Sequence, residues 1–225
     1  MKKIIITGTS KGIGHEMALQ FAAAGHTVLA LSRTVPQTLL GNKNISCLAV
    51  DLTQDADLDR VSRFLSDGWE HVDILIHNAG ALTLKPFAEL TSQDFEDIYK
   101  VNVFAVAALT RTVLPYLGKG SHVVTISSMG GVQGSSKFSG LAAYSSSKGA
   151  VITLSELLAE EYRDQGISFN VLALGAVQTE MLAKAFPGYE APLSAQHMAK
   201  FIVGFALDGH HYFNGKVLPV SSTTP

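Results

Sequence analysis

An alternation constrains this chain first. Short runs of β-branched and apolar residues, each closed by glycine or a small polar residue, are separated by longer stretches of helical periodicity. Apolar runs of about 4–8 residues are too short for buried helices and read as strands covered on both faces. Such strands are read at Lys3–Thr7, Thr27–Ser32, 45–50, 72–76, 122–126, 167–174 and 216–220. Helical patterns occupy 13–24, 53–66, 91–117, a stretch through Tyr144 and Lys148 to about residue 164, and 194–207. Pro36 and Gly41 break the segment between the second and third strands too often for a long helix.

Strand followed by helix, repeated along the chain, predicts a parallel sheet with helices on both faces. The expected fold is α/β: a Rossmann-type, doubly wound, mostly parallel seven-stranded sheet. The length of 225 residues fits a single dinucleotide-binding domain over 1–225, with no repeat or linker and with loops after strands 4, 5 and 6 free for substrate. A composition 47% hydrophobic and 16% charged suits a sheet buried on both faces. The net charge of -2 gives no electrostatic case for nucleic acid or an anionic membrane. The single cysteine, Cys47, excludes an internal disulfide and fits a reducing cytoplasm. The apolar run after Lys2-Lys3 is too short for a signal peptide, and no stretch approaches the length of a membrane span. The eight histidines form no metal-ligand pattern; His210 and His211 read as a polar surface turn.

Chemistry-bearing residues fall at the expected strand ends. The turn after the first strand is Thr7-Gly8-Thr9-Ser10-Lys11-Gly12-Ile13-Gly14, opening a helix. Glycines there let backbone N–H groups face an anion that the helix dipole favours, which points to dinucleotide binding rather than an ordinary βα turn. The fourth strand ends in His77-Asn78-Ala79-Gly80, and ligands bind at such tips in open α/β sheets. His77 is a side chain that ordinarily titrates near neutral pH. Asn102 lies inside a helix, where asparagine is unfavourable unless its amide is satisfied. Ser127-Ser128 ends the fifth strand. Tyr144 and Lys148 stand four apart, on one helix face. A cation there lowers the pKa of the phenol and makes the pair an acid/base device. Alone, the pair also fits a solvated helix face.

Together, these motifs resemble the short-chain dehydrogenase/reductase family in identity and order. Thr7-Gly8-x-x-x-Gly12-Ile13-Gly14 is similar to its cofactor turn, Asn78-Ala79-Gly80 to its Asn-Asn-Ala-Gly element with His77 replacing the first Asn, and Gly175-x-Val177-x-Thr179 to its Pro-Gly-x-Val-x-Thr turn with Leu174 replacing Pro. Asn102, Ser128, Tyr144 and Lys148 match its catalytic set. The segment from Ser128 to Tyr144 is longer than is typical, the loop after Thr179 looks short, and the family's usual Asp-Gly-Gly is missing near the end.

The resemblance implies hydride transfer between a nicotinamide and a carbonyl or alcohol carbon. Tyr144 exchanges the proton. Lys148 lowers the Tyr144 pKa and binds the nicotinamide ribose. Ser128 holds the carbonyl oxygen, and Asn102 positions a water. Val177 and Thr179 border the carboxamide, and Asp51-Leu52 the adenine. Ala81, Leu82, Met129, Gly130, Phe138, Met181, Leu182, Phe186 and Tyr189 form an apolar substrate pocket for a small or medium ketone, aldehyde or alcohol. No metal is implied. Relatives associate through the helix bearing Tyr144 and the one before it. The apolar Val151, Leu154, Leu157 and Leu158 on that helix point to a homodimer or homotetramer.

The residues themselves choose the cofactor. NAD is usually selected by a carboxylate at the end of the second strand, where it accepts from the ribose 2′-OH. Ser32 stands there, followed by Arg33, with Lys11 on the facing turn. Two cations and no carboxylate favour NADP(H) over NAD(H). The alternative function is a nucleotide-binding sensor or scaffold of the same fold without turnover.

Overall fold

In β1 (Lys3–Thr7) every side chain after Lys3 is buried, and period-two alternation divides them between two cores. Ile4 and Ile6 join one core with Val28, Ala30, Ile74 and Ile76; Ile5 joins the other with Leu29, Leu31 and Leu75. This computed structural model describes residues 1–221. The second strand is β2 (Thr27–Ser32), followed by β3 (Ile45–Ala49), β4 (Ile74–His77), β5 (His122–Ser128) and β6 (Ser168–Leu174). Further on come β7 (Val177–Gln178), β8 (Leu193–Ser194) and β9 (Val217–Val220). The main sheet has seven strands in the order β3-β2-β1-β4-β5-β6-β9, and every pairing is parallel.

Helices cover both faces. The first core takes α1 (Gly12–Ala23) through Met17, Ala18 and Phe21, and α7 (Ala195–Asp208) through Met198, Ala199, Ile202 and Ala206. The second takes α2 (Asp55–Gly68) through Leu58, Val61 and Leu65. It also takes α4 (Ala105–Val113) through Leu109 and Val113, and α5 (Ala142–Glu161) through Ala159. The order in which strands are added reverses between β1 and β4: β2 and β3 lie to one side, and β5, β6 and β9 to the other. The crevice at the C-terminal ends of β1 and β4 is the topological switch point, where doubly wound sheets bind ligands.

The doubly wound fold is as expected, and the differences are local. The helix expected from 53 starts at Asp55, because Asp51 Oδ1 accepts from Thr53 N and Thr53 Oγ1 and holds that segment in a turn. The long helix expected over 91–117 is interrupted. Thr91 and Asp94 form a capping box for α3 (Ser92–Tyr99). A π-turn over Lys100–Phe104 then precedes α4, and a 3-10 turn containing Pro115 ends the segment at Leu114–Tyr116. The two-stranded β7–β8 sheet and the short α6 (Glu180–Ala185) are too small to leave a periodic signal. Leu174, where a proline was the comparison, extends β6 opposite Val220 of β9. Among the described residues, no helix is long and apolar enough to cross a membrane.

Two glycines set how closely the turn after β1 approaches β4. A Cβ on Gly14 would sit 2.3 Å from the Gly8 carbonyl oxygen, and one on Gly8, at φ 73°, would sit 2.8 Å from Ala79 Cα. Both neighbours are backbone and cannot step aside. Gly14→Ala is therefore expected to cost about 1–3 kcal/mol, read as a lower urea midpoint at unchanged slope. Gly68→Ala, where a Cβ meets nothing within 4 Å, is expected to leave the midpoint unchanged or raise it.

Candidate active site

The site is built on hydrogen bonds between the ends of β1 and β4. Thr7 Oγ1 accepts from the backbone N–H groups of Asn78 and Ala79, both at 2.9 Å. Asn78 Nδ2 donates back to the carbonyls of Thr7 and Gly8 at 2.9 and 3.3 Å. Gly8 and Thr9 are in turn tied to the end of β2 through the Leu31 carbonyl. The turn from Thr9 and Ser10 through Lys11 then enters α1 at Gly12 and Ile13. No side chain caps this helix, so its first N–H groups are left for a ligand. Gly8, Gly12 and Gly14 keep this turn free of side chains of their own, and the uncapped helix N-terminus fits the diphosphate of a dinucleotide on that ground.

Asn102 sits on the π-turn and is 1% exposed. Its Oδ1 accepts from Ala81 N at 2.8 Å, and its Nδ2 donates to Ala81 O and Ser147 Oγ, both at 2.9 Å. Ser147 Oγ donates to the Tyr144 carbonyl at 2.7 Å. Asn102 thus joins the loop after β4 to the first turn of α5, a link that depends on Ser147, which sequence reasoning passed over. The π-turn supplies the rotation that aims a mid-helix asparagine inward.

On α5, Tyr144 and Lys148 face the end of β5. Lys148 is 6% exposed, its Nζ donates to the Ile126 carbonyl at 2.9 Å, and it lies 5.8 Å from the Tyr144 ring centroid. Ser127 Oγ donates to the Lys148 carbonyl at 2.9 Å, which pins the helix to the strand. Ser128 reaches the Tyr144 phenol and also accepts from Gly130 N. The long segment between Ser128 and Tyr144 is compacted by a 3-10 turn at Met129–Gly131. There Gly131 runs so close to α5 that a Cβ would lie 2.7 Å from the Lys148 carbonyl carbon. Lys137 Nζ donates to the Gly130 and Val132 carbonyls and to Ser135 Oγ, which folds the loop on itself.

The remaining site residues lie along the same strand ends. Gly80 looks onto the cluster: a Cβ there would be 3.5 Å from both Asn102 Oδ1 and Lys148 Nζ. Ser32 is 7% exposed and donates to the Thr34 carbonyl, while Arg33 and Lys11 are exposed and form no ion pair among the described residues. Asp51, beside Leu52 after β3, is held in its turn by Thr53, whose hydrogen bonds keep its carboxyl below the usual range. Gly175, Val177 and Thr179 follow β6, and Thr179 caps α6 by accepting from Leu182 N at 3.2 Å. Of the expected pocket walls, the loops after β4 and β5 meet: Lys85 N donates to the Gly140 carbonyl at 2.9 Å. Met181 and Tyr189 stay 40% and 46% exposed. A cavity of about 720 Å³ lined by Lys2, His26, His71, Asp73 and His210 lies elsewhere and shares no residue with this cluster. Among the described residues, no group of three or more potential ligands is placed to hold a metal.

A family model described as short chain dehydrogenase matches residues 2–190. The chain belongs to the short-chain dehydrogenase/reductase family. It is 29% identical to the 3-oxoacyl-(acyl-carrier-protein) reductase of Escherichia coli over 237 residues, covering 98% of this chain and 96% of that protein. It is 34% identical to the 7alpha-hydroxysteroid dehydrogenase of Escherichia coli over 191 residues, 80% and 73% of the two chains. A solved short chain dehydrogenase from Shigella flexneri, complexed with NADP, superposes with a TM-score of 0.87 at 27% identity, over 97% and 96% of the chains. Membership makes this protein an oxidoreductase acting between alcohol and carbonyl groups with a nicotinamide cofactor.

Two electrostatic expectations for this short-chain dehydrogenase are corrected. His77 does not titrate near neutrality. It is 3% exposed, and burial pushes its pKa down to about 3. Thr110 Oγ1 donates to the Val106 carbonyl, so the His77 Nε2–H donates to that hydroxyl oxygen at 2.9 Å and the ring is a neutral donor. Tyr144 is raised rather than lowered: burial lifts its pKa, and the interaction with Ser128 only partly opposes this. Lys148, engaged with Ile126, does not reverse it, and the phenol is held protonated at neutral pH.

Burial also lowers Lys148 from 10.5 to about 8. An unfolded lysine still binds its proton between those values when the folded one has lost it, so stability rises with pH across that window. Below pH 8 the full penalty applies, about 3 kcal/mol. Lys148→Met is therefore expected to melt above the parent protein at pH 7, and the gap is expected to close as pH rises toward 10.5. Thermal melts of both proteins across that range check it; a gap independent of pH would contradict it.

Proposed function

We propose that this chain, as a single dinucleotide-binding domain over 1–225, is an NADP(H)-dependent oxidoreductase. Its substrates are apolar ketones or aldehydes, reduced to alcohols, or the reverse. The observation that carries the reading is the arrangement of half-buried Tyr144 beside Ser128 and the buried Lys148 at the sheet's switch point. When bound, the nicotinamide supplies or takes up the hydride. Gly8, Thr9, Ser10, Gly12, Ile13 and Gly14 receive the diphosphate, while Asn78, Ala79 and Gly80 support the ribose side. Gly175, Val177 and Thr179 border the nicotinamide end, and Asp51 and Leu52 the adenine.

Ser128 donates to the substrate oxygen and stabilises charge developing there. Tyr144, kept protonated by burial, gives its phenolic proton to that oxygen during reduction and recovers it during oxidation. Lys148, whose buried ammonium is poised near pH 8, supplies positive charge as the phenolate forms. Asn102 holds the loop after β4 against α5 and so fixes the distance between these groups.

The NADP(H) preference rests on Ser32, Arg33 and Lys11: two exposed cations that form no ion pair among the described residues, with Ser32 rather than a carboxylate as the last residue of β2, although the Asp51 carboxylate after β3 lies near enough to feel the Arg33 charge. The NADP-bound Shigella flexneri relative supports the same choice. Self-association is proposed through the outer face of α5 and of the π-turn leading into α4, where Leu157 and Phe104 are 61% and 60% exposed. Val151, counted toward that face from sequence, instead packs inward at 1% exposure. A homodimer or homotetramer in the cytoplasm completes the proposal.

Tyr144→Phe is expected to lower kcat at least about 100-fold with NADPH affinity near that of the parent. Retention of most activity would overturn the assignment. Arg33→Ala is expected to raise KM for NADPH about tenfold and to leave KM for NADH unchanged. Tight NADPH binding without turnover across a broad carbonyl panel would favour the sensor instead.

A further inference from the structure

The segment after β6 does more than border the nicotinamide end. β7 pairs with β8, Val177 opposite Leu193 and Gln178 opposite Ser194, and Gln178 Oε1 accepts from Ala191 N at 2.8 Å. This small sheet closes the base of an excursion and fixes where Thr179 and Glu180 emerge. They emerge against the turn after β1. A Cβ on Gly12 would lie 3.6 Å from Thr179 Cγ2 and 3.7 Å from Glu180 Oε2. Gly12 opens α1 at φ 61°, at the uncapped N-terminus that presents its N–H groups outward. The Glu180 carboxylate makes no hydrogen bond or ion pair among the described residues. A negative charge without a side-chain partner among the described residues therefore stands at the edge of a cradle that favours anions.

We propose that Glu180 is a determinant of cofactor affinity, an unpaired carboxylate that repels the diphosphate of a nicotinamide dinucleotide and so loosens its hold on the site. This rests on the dinucleotide reading of the turn after β1. Glu180 is exposed, and like charges within several ångströms at such a site oppose one another enough to change affinity severalfold at low salt. The consequence is faster release of the spent cofactor, a step that limits turnover in many enzymes with mobile closing segments. A helix-starting role alone explains an acidic residue in the first turn of α6. It does not explain a dependence of cofactor affinity on that charge, and this separates the two.

The test is direct binding of NADPH, followed by its fluorescence, to the parent protein, Glu180→Gln and Glu180→Asp at low and high salt. At about 10 mM ionic strength, Glu180→Gln is expected to bind about three- to tenfold more tightly than the parent, and at about 1 M the difference is expected to vanish by screening. Glu180→Asp keeps the charge and is expected to match the parent. Equal or weaker binding by Glu180→Gln overturns the proposal, as does a gap that persists at high salt, which would mark a packing effect. Failure of the parent itself to bind NADPH overturns the dinucleotide reading and this inference with it. Normal parental binding with no charge effect overturns this inference alone.

Discussion

The contact between the turn after β1 and the tip of β4 is the constraint on which the site depends. Thr7 Oγ1 takes two backbone N–H groups from β4's end, and Asn78 returns its amide to β1's carbonyls. The approach leaves no space for a Cβ at Gly8 or Gly14. Once these ends are locked, α1 must leave with its N-terminus facing the crevice, and Gly80 must point toward Asn102 and Lys148. The phosphate cradle and the proton-transfer groups are thus two sides of one junction rather than separate sites.

A second layer keeps the chemistry at fixed spacing. Asn102 spans from Ala81 to Ser147, Ser127 ties β5 to the Lys148 carbonyl, and Gly131 lets the loop after β5 press against α5. Each contact joins separate elements, and the Asn102 and Ser127 contacts are made by buried polar side chains. Burial sets the protonation states in consequence. It keeps Tyr144 a phenol, His77 a neutral donor and Lys148 close to its titration point. The lysine is unfavourable for folding below pH 8 and useful for proton transfer, a conflict expected where function outweighs stability.

Much of this was legible in the chain. Period-two strands between helical stretches implied the doubly wound sheet, because alternation carries information over many residues. The positions of Gly8, Gly14, Asn78, Ser128, Tyr144 and Lys148 at strand ends or on one helix face followed from spacing, whereas Asn102, a mid-helix asparagine, was singled out by the family resemblance. What stayed hidden was tertiary. The π-turn at Lys100–Phe104 has no propensity signature, and Ser147 is an ordinary helix serine until Asn102 meets it. His77 looked like a titrating group because its burial against Thr110 depends on packing of α4 over β4. Glu180 carried no signal in the sequence, since its nearness to Gly12 arises from the β7–β8 pairing across about fifteen residues of loop and short helix.

The central claim is that this junction carries a hydride between a nicotinamide and a carbonyl carbon. It is tested most directly by incubating the protein with NADPH deuterated at both C4 positions and a panel of ketones and aldehydes, with products analysed by mass spectrometry. The account predicts an alcohol one mass unit heavy from at least one apolar carbonyl, with NADP formed in equal amount. Unlabelled alcohol, or bound NADPH with no alcohol from any carbonyl, would contradict it.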